Sequence, residues 1–516
     1  MRKWLPLLAV CLGTFMLLID VTIVNVALPD MAANLHTSFA SLQWVVDAYA
    51  LALAALVLGI GSIADQVGHR RSYIGGLGLF AVASFACGIA PNAELLIAAR
   101  TVQGVGAAAM FATTFALLNS AYQGRDRGTA YGMWGAVSGA SAAVGPILGG
   151  FLTEGVSWRW IFFVNLPVSV AAIALCVFVL TDAHVTTRHR VDIAGMITFS
   201  AAAAAVTYAL IRANDDGWAA PSVWGLFVAA AVLLTGFLLV ESRIEHPMLD
   251  LALLRNRSFV GILIAGLVLT FSAFAYFTYT SIWLQSVIGL SPIQAGLTGL
   301  PLSVAAFAVS ALIGRFLHGS RPGPIIGGGL ILIGLGALLS AVLVRGDATW
   351  PQLLPGFALV GIGVGLATPT LSSSAMAAVP PQRGGMAAGT VNTSRQLGFA
   401  FGIALLGTVF SARAHSLIAD RGVPESAGIA KALSGGQAQK LLAAAPGSSR
   451  ASLDRALHAA SVSGLQGTFL VAGIAGVVAG LLVLLLVRPP RTPEPSRPAG
   501  QTPSEATDRD VEPVVV

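Results

Sequence analysis

Long apolar runs separated by short polar segments occupy most of this chain of 516 residues. An apolar run of about 18 residues or more can cross a membrane as a helix, because about 20 residues cover a hydrocarbon core of about 30 Å. The pattern predicts fourteen membrane-spanning helices. They lie at 5–28, 42–64, 72–91, 95–119, 129–153, 160–181, 193–213, 221–241, 258–282, 292–317, 324–344, 352–377, 384–411 and 465–487.

The composition supports a polytopic membrane protein, since 56% of the residues are hydrophobic and only 10% are charged. The net charge of +6 does not indicate nucleic-acid binding, because the basic residues lie in the short gaps between apolar runs. The first run follows Arg2 and Lys3 as in a signal peptide, but it continues to Leu28 without a small-x-small cleavage site. We interpret it as the first membrane span.

Lysine and arginine are distributed unequally between the two sets of short loops. The alternate loops hold only Arg159, Arg212 and Arg345, whereas the other set holds most of the basic residues outside the spans. Because cytoplasmic loops are enriched in these residues, both termini are predicted to be cytoplasmic. The even number of predicted spans agrees with this, because it requires both termini to lie on the same side of the membrane.

The chain divides into four predicted parts. Residues 1–181 form an N-terminal half of six helices, 182–257 hold two extra helices with a linker, and 258–487 form a C-terminal half of six helices with an external loop at 412–464. Residues 488–516 are rich in proline and are predicted to be a disordered cytoplasmic tail. A faint repeat of 61–71 at 314–323 relates the halves, and repeated halves are typical of secondary transporters, whose substrate site lies between them.

Four ionisable residues stand out inside the predicted spans, where each costs about 2.5 to 3.5 kcal/mol to insert and is a functional candidate for that reason. They are Asp20, Asp47, Arg100 and Arg395. Counting residues along the spans places Asp20 and Arg100 at similar depth, so a carboxylate beside a guanidinium could load and release a proton. The alternatives are a permanent structural pair for Asp20 and a hydrated helix end for Asp47.

Polar residues on other spans are candidates for lining a substrate cavity. On span 4, polar and small residues recur on one helical face, and span 13 repeats this pattern around Arg395. Hydrogen bonding between helices would explain the same pattern, and the aromatic residues of span 9 could equally face lipid. The candidates are Asn25, Gln103, Trp134, Tyr276, Tyr279, Asn392, Arg395 and Gln396.

Several classes of chemistry are not supported by the sequence. The three lysines lack the G-K-[ST] context of an ATP-binding loop, so we expect a gradient rather than ATP to supply energy. The cysteines, Cys11, Cys87 and Cys176, each lie in an apolar run without a CxxC pair. We therefore expect no metal, no cofactor and no enzymatic activity.

Several motifs together resemble the fourteen-helix drug:proton antiporters of the major facilitator superfamily. This resemblance covers nearly the whole chain up to about residue 490, and it implies an all-α fold of two six-helix halves plus two extra central helices. The motifs that carry it are Leu18–Pro29, Gly61–Arg71, Arg100–Gly106, Gly135–Gly150 and Trp158–Pro167.

The resemblance implies roles for individual residues. Asp20 corresponds to the proton-coupling acid, with Arg100 assisting proton transfer and Asp47 as a helper. The glycine-rich set on span 5 resembles the motif associated with exporters rather than importers; it comprises Gly135, Gly139, Gly145, Pro146, Gly149 and Gly150. The cytoplasmic gating loop corresponds to Gly61, Asp65, Gly68, Arg70 and Arg71.

Asp65 also has a physical interpretation that does not depend on the resemblance. An acid at the C-terminal end of its own helix faces the unfavourable end of the helix dipole. It should therefore pair with Arg70, Arg71 or the N-terminus of another helix, forming a cytoplasmic latch between the halves. The alternative is a solvated loop acid.

The sequence departs from the family pattern at three points. Gln66 and His69 replace the usual arginines of the first loop motif, and His318 stands where an acid is common in the second. No acidic residue lies within spans 9 to 14. Because family members that export divalent cations tend to use additional membrane acids, this absence argues against such substrates.

We therefore predict a multi-pass protein of the cytoplasmic membrane that exports amphipathic drugs or antibiotics in exchange for protons by alternating access. Its expected partners are small amphipathic organic substrates, protons and the lipid bilayer, without nucleic acid or ATP, and a monomer is favoured. One alternative is a dedicated exporter of a single metabolite or self-made antibiotic. Another is a gradient-independent channel or membrane receptor.

Reporter fusions test the predicted orientation. A green fluorescent protein fused after Val516 should fluoresce, because that end is predicted to lie in the cytoplasm. Alkaline phosphatase needs disulfides that form outside the cytoplasm, so it should be inactive after Val516 and active when fused after Asp347, in a predicted external loop. The opposite pattern of activities would reverse the orientation.

Overall fold

The structure is a computed structural model that describes residues 2–37, 39–180, 192–245, 247–316, 321–380, 383–421 and 425–487. Within these ranges the regular secondary structure is helical and contains no strand. The predicted tail at 488–516 and His318 lie outside the described residues.

The N-terminal half begins with a 3-10 turn at Arg2–Trp4 and continues in helices that are mostly of spanning length. Gly68 separates the second and third with a φ of 108°, a conformation that glycine adopts without a steric penalty. These helices are α1 (Leu5–Asn34), α2 (Phe39–Val67), α3 (His69–Gly88), α4 (Ala93–Ala121), α5 (Gly124–Gly155), α6 (Trp160–Phe163) and α7 (Asn165–Val179).

Two long helices follow, α8 (Ile193–Asp216) and α9 (Pro221–Glu241). The side chain of Asp192 caps α8 by accepting a hydrogen bond from the Gly195 amide at 2.7 Å. Pro221 is favourable at the start of α9, because the backbone N–H that proline lacks would have no partner within the helix at this position.

The C-terminal half contains the remaining helices. They are α10 (Ala252–Arg255), α11 (Arg257–Ala273), α12 (Phe277–Ile282), α13 (Pro292–Leu297), α14 (Leu300–Phe316), α15 (Pro322–Leu343), α16 (Leu354–Ala377), α17 (Gly384–Asp420), α18 (Ser426–Ser434), α19 (Ala438–Ala444) and α20 (Gly447–Leu486).

Twelve helical segments of the described chain are long and apolar enough to cross a membrane. Two further helices, α3 and α5, have 20 and 32 residues and are not among these twelve. The charged start of α3, His69-Arg70-Arg71, lowers its mean hydropathy. Fourteen crossings and cytoplasmic termini therefore stay predictions.

Three spans predicted as continuous are interrupted. The span at 160–181 breaks at Val164, that at 258–282 at residues 274–276, and that at 292–317 at residues 298–299. Hydropathy reports only that a segment is apolar, whereas the backbone path inside it depends on packing.

The predicted external loop at 412–464 is largely helical in the structure. Helix α17 continues to Asp420, α20 starts at Gly447, and α18 and α19 lie between them. The end of an apolar run marks the end of membrane-like composition and not the end of a helix. The external placement of 412–464 stays a prediction.

The two halves have separate hydrophobic cores. One buried cluster draws only on residues from Ile262 to Val487, while two others draw mainly on the N-terminal helices. The halves meet where α5 packs along α13 and α14, and where α2 packs along α17. Such a division allows each half to move as a unit relative to the other.

Helices α8 and α9 pack on each other, and α8 also packs against both α2 and α17. The rings of Trp44 on α2 and Tyr208 on α8 lie 5.6 Å apart, and Trp218 donates to the hydroxyl of Thr408 on α17 at 2.6 Å. Much of α9 is exposed and apolar, including Trp224 and Val232, and in a membrane such a surface contacts lipid.

Close backbone contact between the halves makes Gly61 a sensitive position. A Cβ atom there would overlap the carbonyl oxygen of Gly385, whereas a Cβ at Gly75 on α3 has no atom within 4 Å. We predict that Gly61→Val separates the ends of α2 and α17, while Gly75→Val does not.

The resulting separation of the two halves can be measured by electron paramagnetic resonance between spin labels at Val67, at the end of α2, and Arg321, just before α15. Both residues are exposed. The three native cysteines are buried and should remain unlabelled. The label distance should increase in Gly61→Val, and an unchanged distance would contradict the proposed close contact.

Candidate functional site

An ion pair is buried inside the N-terminal half. Nη1 of Arg100 on α4 donates to Oδ2 of Asp20 on α1 at 2.5 Å, and the two side chains are 1% and 0% exposed. Water cannot compensate these charges, so each must be compensated by its neighbours.

Uncharged side chains complete the hydrogen bonding of the carboxylate. Oδ1 of Asp20 accepts from the amide of Gln103 at 3.1 Å and from the amide of Asn165 at 3.0 Å. Both amides also donate to the hydroxyl of Ser84, at 3.2 and 3.0 Å. Helices α1, α3, α4 and α7 therefore meet at this carboxylate.

Helix α2 supplies further contacts of Arg100. Its Nε donates to the carbonyl oxygen of Val45 at 3.0 Å, and its guanidinium lies 4.2 Å from the ring centre of Tyr49, a cation–π contact. Asp47 lies between these two residues on the same helix, and its side chain is half-buried. The structure thus places the proton-helper candidate next to the residues that hold Arg100.

This arrangement stabilises the ionised carboxylate, because three donated hydrogen bonds and a cation all favour negative charge. The network therefore ties the positions of Arg100, Gln103 and Asn165 to the charge of Asp20.

A second acidic residue joins the two halves. The carboxylate of Asp65 on α2 accepts from the backbone amides of Gly385 at 2.6 Å and Met386 at 2.9 Å, at the N-terminus of α17. His69 lies 2.8 Å from the same carboxylate. An acid favours a helix N-terminus, where free amides and the dipole attract negative charge.

The other loop residues have different contacts. Arg70 donates to the carbonyl oxygens of Val177 at 2.7 Å and Cys176 at 3.3 Å, at the end of α7, and Arg71 is exposed on α3. Arg383, just before α17, forms an ion pair with Asp250 at 2.9 Å. This end of the molecule is therefore closed between α2 and α17.

The glycines of α5 allow close helix contacts on two sides. Gly145 and Gly149 pack on Thr22 and Ile23 of α1. On the side facing the C-terminal half, Gly135 and Gly139 approach Ser310 and Ala306 of α14, and Gly150 approaches Ile293 of α13. The motif thus lies where the halves meet; the side chain of Pro146 lies outside the described residues.

The aromatic candidates for the cavity are core residues in this structure. Trp134 is 1% exposed and donates to the hydroxyl of Thr14 at 3.2 Å. Tyr276 is buried against Phe357 and Phe469, and Tyr279 donates to the carbonyl of Ile403 at 2.7 Å. In this structure these three side chains line neither a lipid-facing surface nor an open cavity.

The polar candidates of α17 lie closer to the interface between the halves. The amide of Asn392 donates to the carbonyl oxygen of Phe111 on α4 at 3.2 Å, while Arg395 and Gln396 are half-buried. The side chain of Asn25 lies outside the described residues.

The sequence did not single out Ser84 and Asn165 as members of the Asp20 network. The sequence could have indicated Asn165 as a functional candidate, since it is a polar side chain in an otherwise apolar segment. No such indication exists for Ser84, because serine recurs along many of the spans.

A helical chain with two packed halves, a buried ion pair and a closed contact between the halves has the construction of a membrane transporter. The chain belongs to the Major Facilitator Superfamily, whose family model matches residues 10–403. The predicted superfamily and all-α fold are confirmed, and the protein is a multi-pass membrane protein.

Individual relatives extend this comparison. The chain is 36% identical to the puromycin resistance protein pur8 of Streptomyces alboniger, over 83% of this chain and 85% of that protein. It is 36% identical to the multidrug resistance protein Stp of Mycobacterium tuberculosis, over 79% and 76%. The crystal structure of the human organic anion transporter MFSD10 is similar in fold, with a TM-score of 0.62 at 14% identity over 93% and 99% of the chains.

A double-mutant cycle tests the network around Asp20. Asn165→Ala should lower the free energy of unfolding by about 1.5 to 3 kcal/mol, because it removes a hydrogen bond to a charged group. In an Asp20→Asn background, Asn165→Ala should lower the free energy of unfolding by less, since the acceptor side chain at position 20 is no longer charged. Thermal unfolding of the purified proteins measures both decreases, and equal decreases would show that Asn165 does not act through Asp20.

Proposed function

We propose that this transporter is an antiporter that exports amphipathic drugs or antibiotics in exchange for protons. The buried pair of Asp20 and Arg100 is the observation that carries the proposal. A carboxylate enclosed by donors in a membrane helix bundle can exchange a proton only when the bundle rearranges. This requirement links protonation to conformation.

The proposed cycle follows from this link. From the external side, Asp20 accepts a proton, and Arg100 loses its charged partner. Substrate leaves outward, and the contacts between Asp65 and the N-terminus of α17 break as the halves rock. On the cytoplasmic side, new substrate binds, Arg100 returns to Asp20, and the proton is released inward.

The α5 glycines and the relatives support export as the direction. Gly135 and Gly139 lie at the interface between the halves, where close backbone contact constrains rocking. The relatives carry resistance in their names, and resistance requires that a compound leave the cell.

The proton gradient supplies enough free energy for this role. One proton moving through about 150 mV releases about 3.5 kcal/mol. At about 1.4 kcal/mol per tenfold, this sustains a gradient of about several hundredfold for a neutral substrate.

A dedicated exporter of one compound is the second candidate. Pur8 is named for resistance to a single antibiotic, whereas Stp is named for several drugs. The breadth of the substrate profile separates the two candidates.

Substitution of Asp20 tests proton coupling directly. In energised everted vesicles, Asp20→Asn should abolish proton release driven by puromycin and by a panel of lipophilic cations, because the titrating group is removed at nearly constant volume. Asp30→Asn is the matched control, since Asp30 is exposed on the same helix. The amount of folded protein is measured by size-exclusion chromatography.

Release by several unrelated compounds in the native protein supports a multidrug antiporter, and release by one compound supports a dedicated exporter. Normal coupling in Asp20→Asn would contradict the proposed role of this carboxylate. Flux that is unaffected by an uncoupler would instead favour a channel.

A further inference from the structure

The C-terminal half contains a cation near the middle of a membrane helix. Arg395 is the twelfth residue of α17, so it lies about 16 Å along the helix from Gly384 at 1.5 Å per residue. This depth is about half of a hydrocarbon core of 30 Å. A guanidinium at such a depth is retained only where it has a function or a partner.

The contacts of α17 show which way Arg395 faces. One turn earlier, Asn392 contacts Phe111 on α4 of the N-terminal half. On the other side, the Arg395 side chain lies against Gly266 of α11, where a Cβ would be 3.3 Å from its Cγ. Arg395 therefore lies against α11 of its own half, one turn from the contact that α17 makes with α4 of the other half.

The guanidinium is not compensated within the described part of the chain. Its Nη1 is buried without a hydrogen-bond partner, and the side chain as a whole remains half-buried. The neighbouring hydroxyls of Thr270 and Ser394 donate to the backbone oxygens of Arg395 and Leu263, both at 2.6 Å. These side chains use their hydrogens on the backbone and none accepts from the guanidinium.

An acid to neutralise this charge is also missing from the predicted spans of the C-terminal half. No aspartate or glutamate occurs between Asp250 and Asp347, or between Asp347 and Asp420. In the N-terminal half, Asp20 is already paired with Arg100. This positive charge is therefore available to a ligand.

We propose that Arg395 binds an acidic group of the substrate, so that the transporter prefers amphipathic organic acids to their neutral or cationic analogues. This inference rests on the proposed export function. A planar guanidinium donates two parallel hydrogen bonds to a carboxylate or sulfonate. A bound acid would satisfy the buried Nη1 and neutralise the charge in one step.

This selectivity also fits the direction of the driving force. Export of an anion from a cell with a negative interior is favoured by the membrane potential, and inward proton movement is favoured by the same potential. Both steps of the exchange would then move charge in the favourable direction. Export of a monovalent cation for one proton would move no net charge.

Three pyrene probes that differ only in their terminal group test the inference: pyrenebutyrate, its amide and pyrenebutylamine. Their affinities for the full-length protein in lipid nanodiscs can be measured by fluorescence. The native protein should bind the acid most tightly. Arg395→Gln should weaken binding of the acid by about tenfold or more, as expected for loss of a charge-assisted hydrogen bond, and leave binding of the amide unchanged.

Two further variants control for folding and for surface charge. Arg395→Lys keeps a cation without the planar fork, so it should retain part of the preference for the acid. Arg413→Gln removes an exposed arginine of the same helix and should behave as the native protein. Unchanged affinity of Arg395→Gln for the amide shows that its binding site is folded.

The outcomes separate this inference from the proposed function. Absence of a preference for the acid in the native protein, or an undiminished preference in Arg395→Gln, would overturn the role of Arg395. If either result is found and the amide or amine is still transported by the proton gradient in vesicles, the proposed export function is retained. A preference for the acid that is lost in Arg395→Gln, without proton-driven transport of any probe, would support the anion site and contradict the antiport function.

Discussion

The ion pair between Asp20 and Arg100 is the interaction on which the N-terminal half depends. Two opposite charges without access to water must be held by protein groups, and here α1, α2, α3, α4 and α7 each supply one or more of them. The packing of these helices therefore depends on the charge of the Asp20 carboxylate. The ion pair and the hydrogen bonds around it thus connect these five helices.

Helix α2 connects this pair to the contact between the halves. Val45 and Tyr49 hold Arg100, and Asp65 caps α17 about 30 Å further along the same helix at 1.5 Å per residue. A helix that moves as a rigid element transmits a displacement at one end to the other. In the C-terminal half, the described residues include no acid paired with Arg395, so the two halves differ in the charges that they bury.

Much of this could be predicted from the sequence, because hydropathy and residue counting locate charges by depth. The shared depth of Asp20 and Arg100 indicated that they could meet, and the position of Asp65 at a helix C-terminus indicated that it needs a partner elsewhere. The N-terminus of α17 is one of the partners expected for it.

Other features depend on packing that no local pattern encodes. The break at residues 274–276 contains neither glycine nor proline, and the rings of Tyr276 and Phe277 pack on Phe357 there. The helical segment after residue 411 was missed because hydropathy detects membrane-like composition and not helix. Ser84 is distant from Asp20 in the sequence and is brought to the site only by the packing of the helices.

The central claim is that substrate and proton exclude each other through Asp20. The most direct test is proton release on substrate binding, measured with a pH-sensitive dye in a weakly buffered solution of the purified protein without any gradient. The account predicts that substrate binding releases protons from the native protein and not from Asp20→Asn. Equal release from both proteins would contradict it.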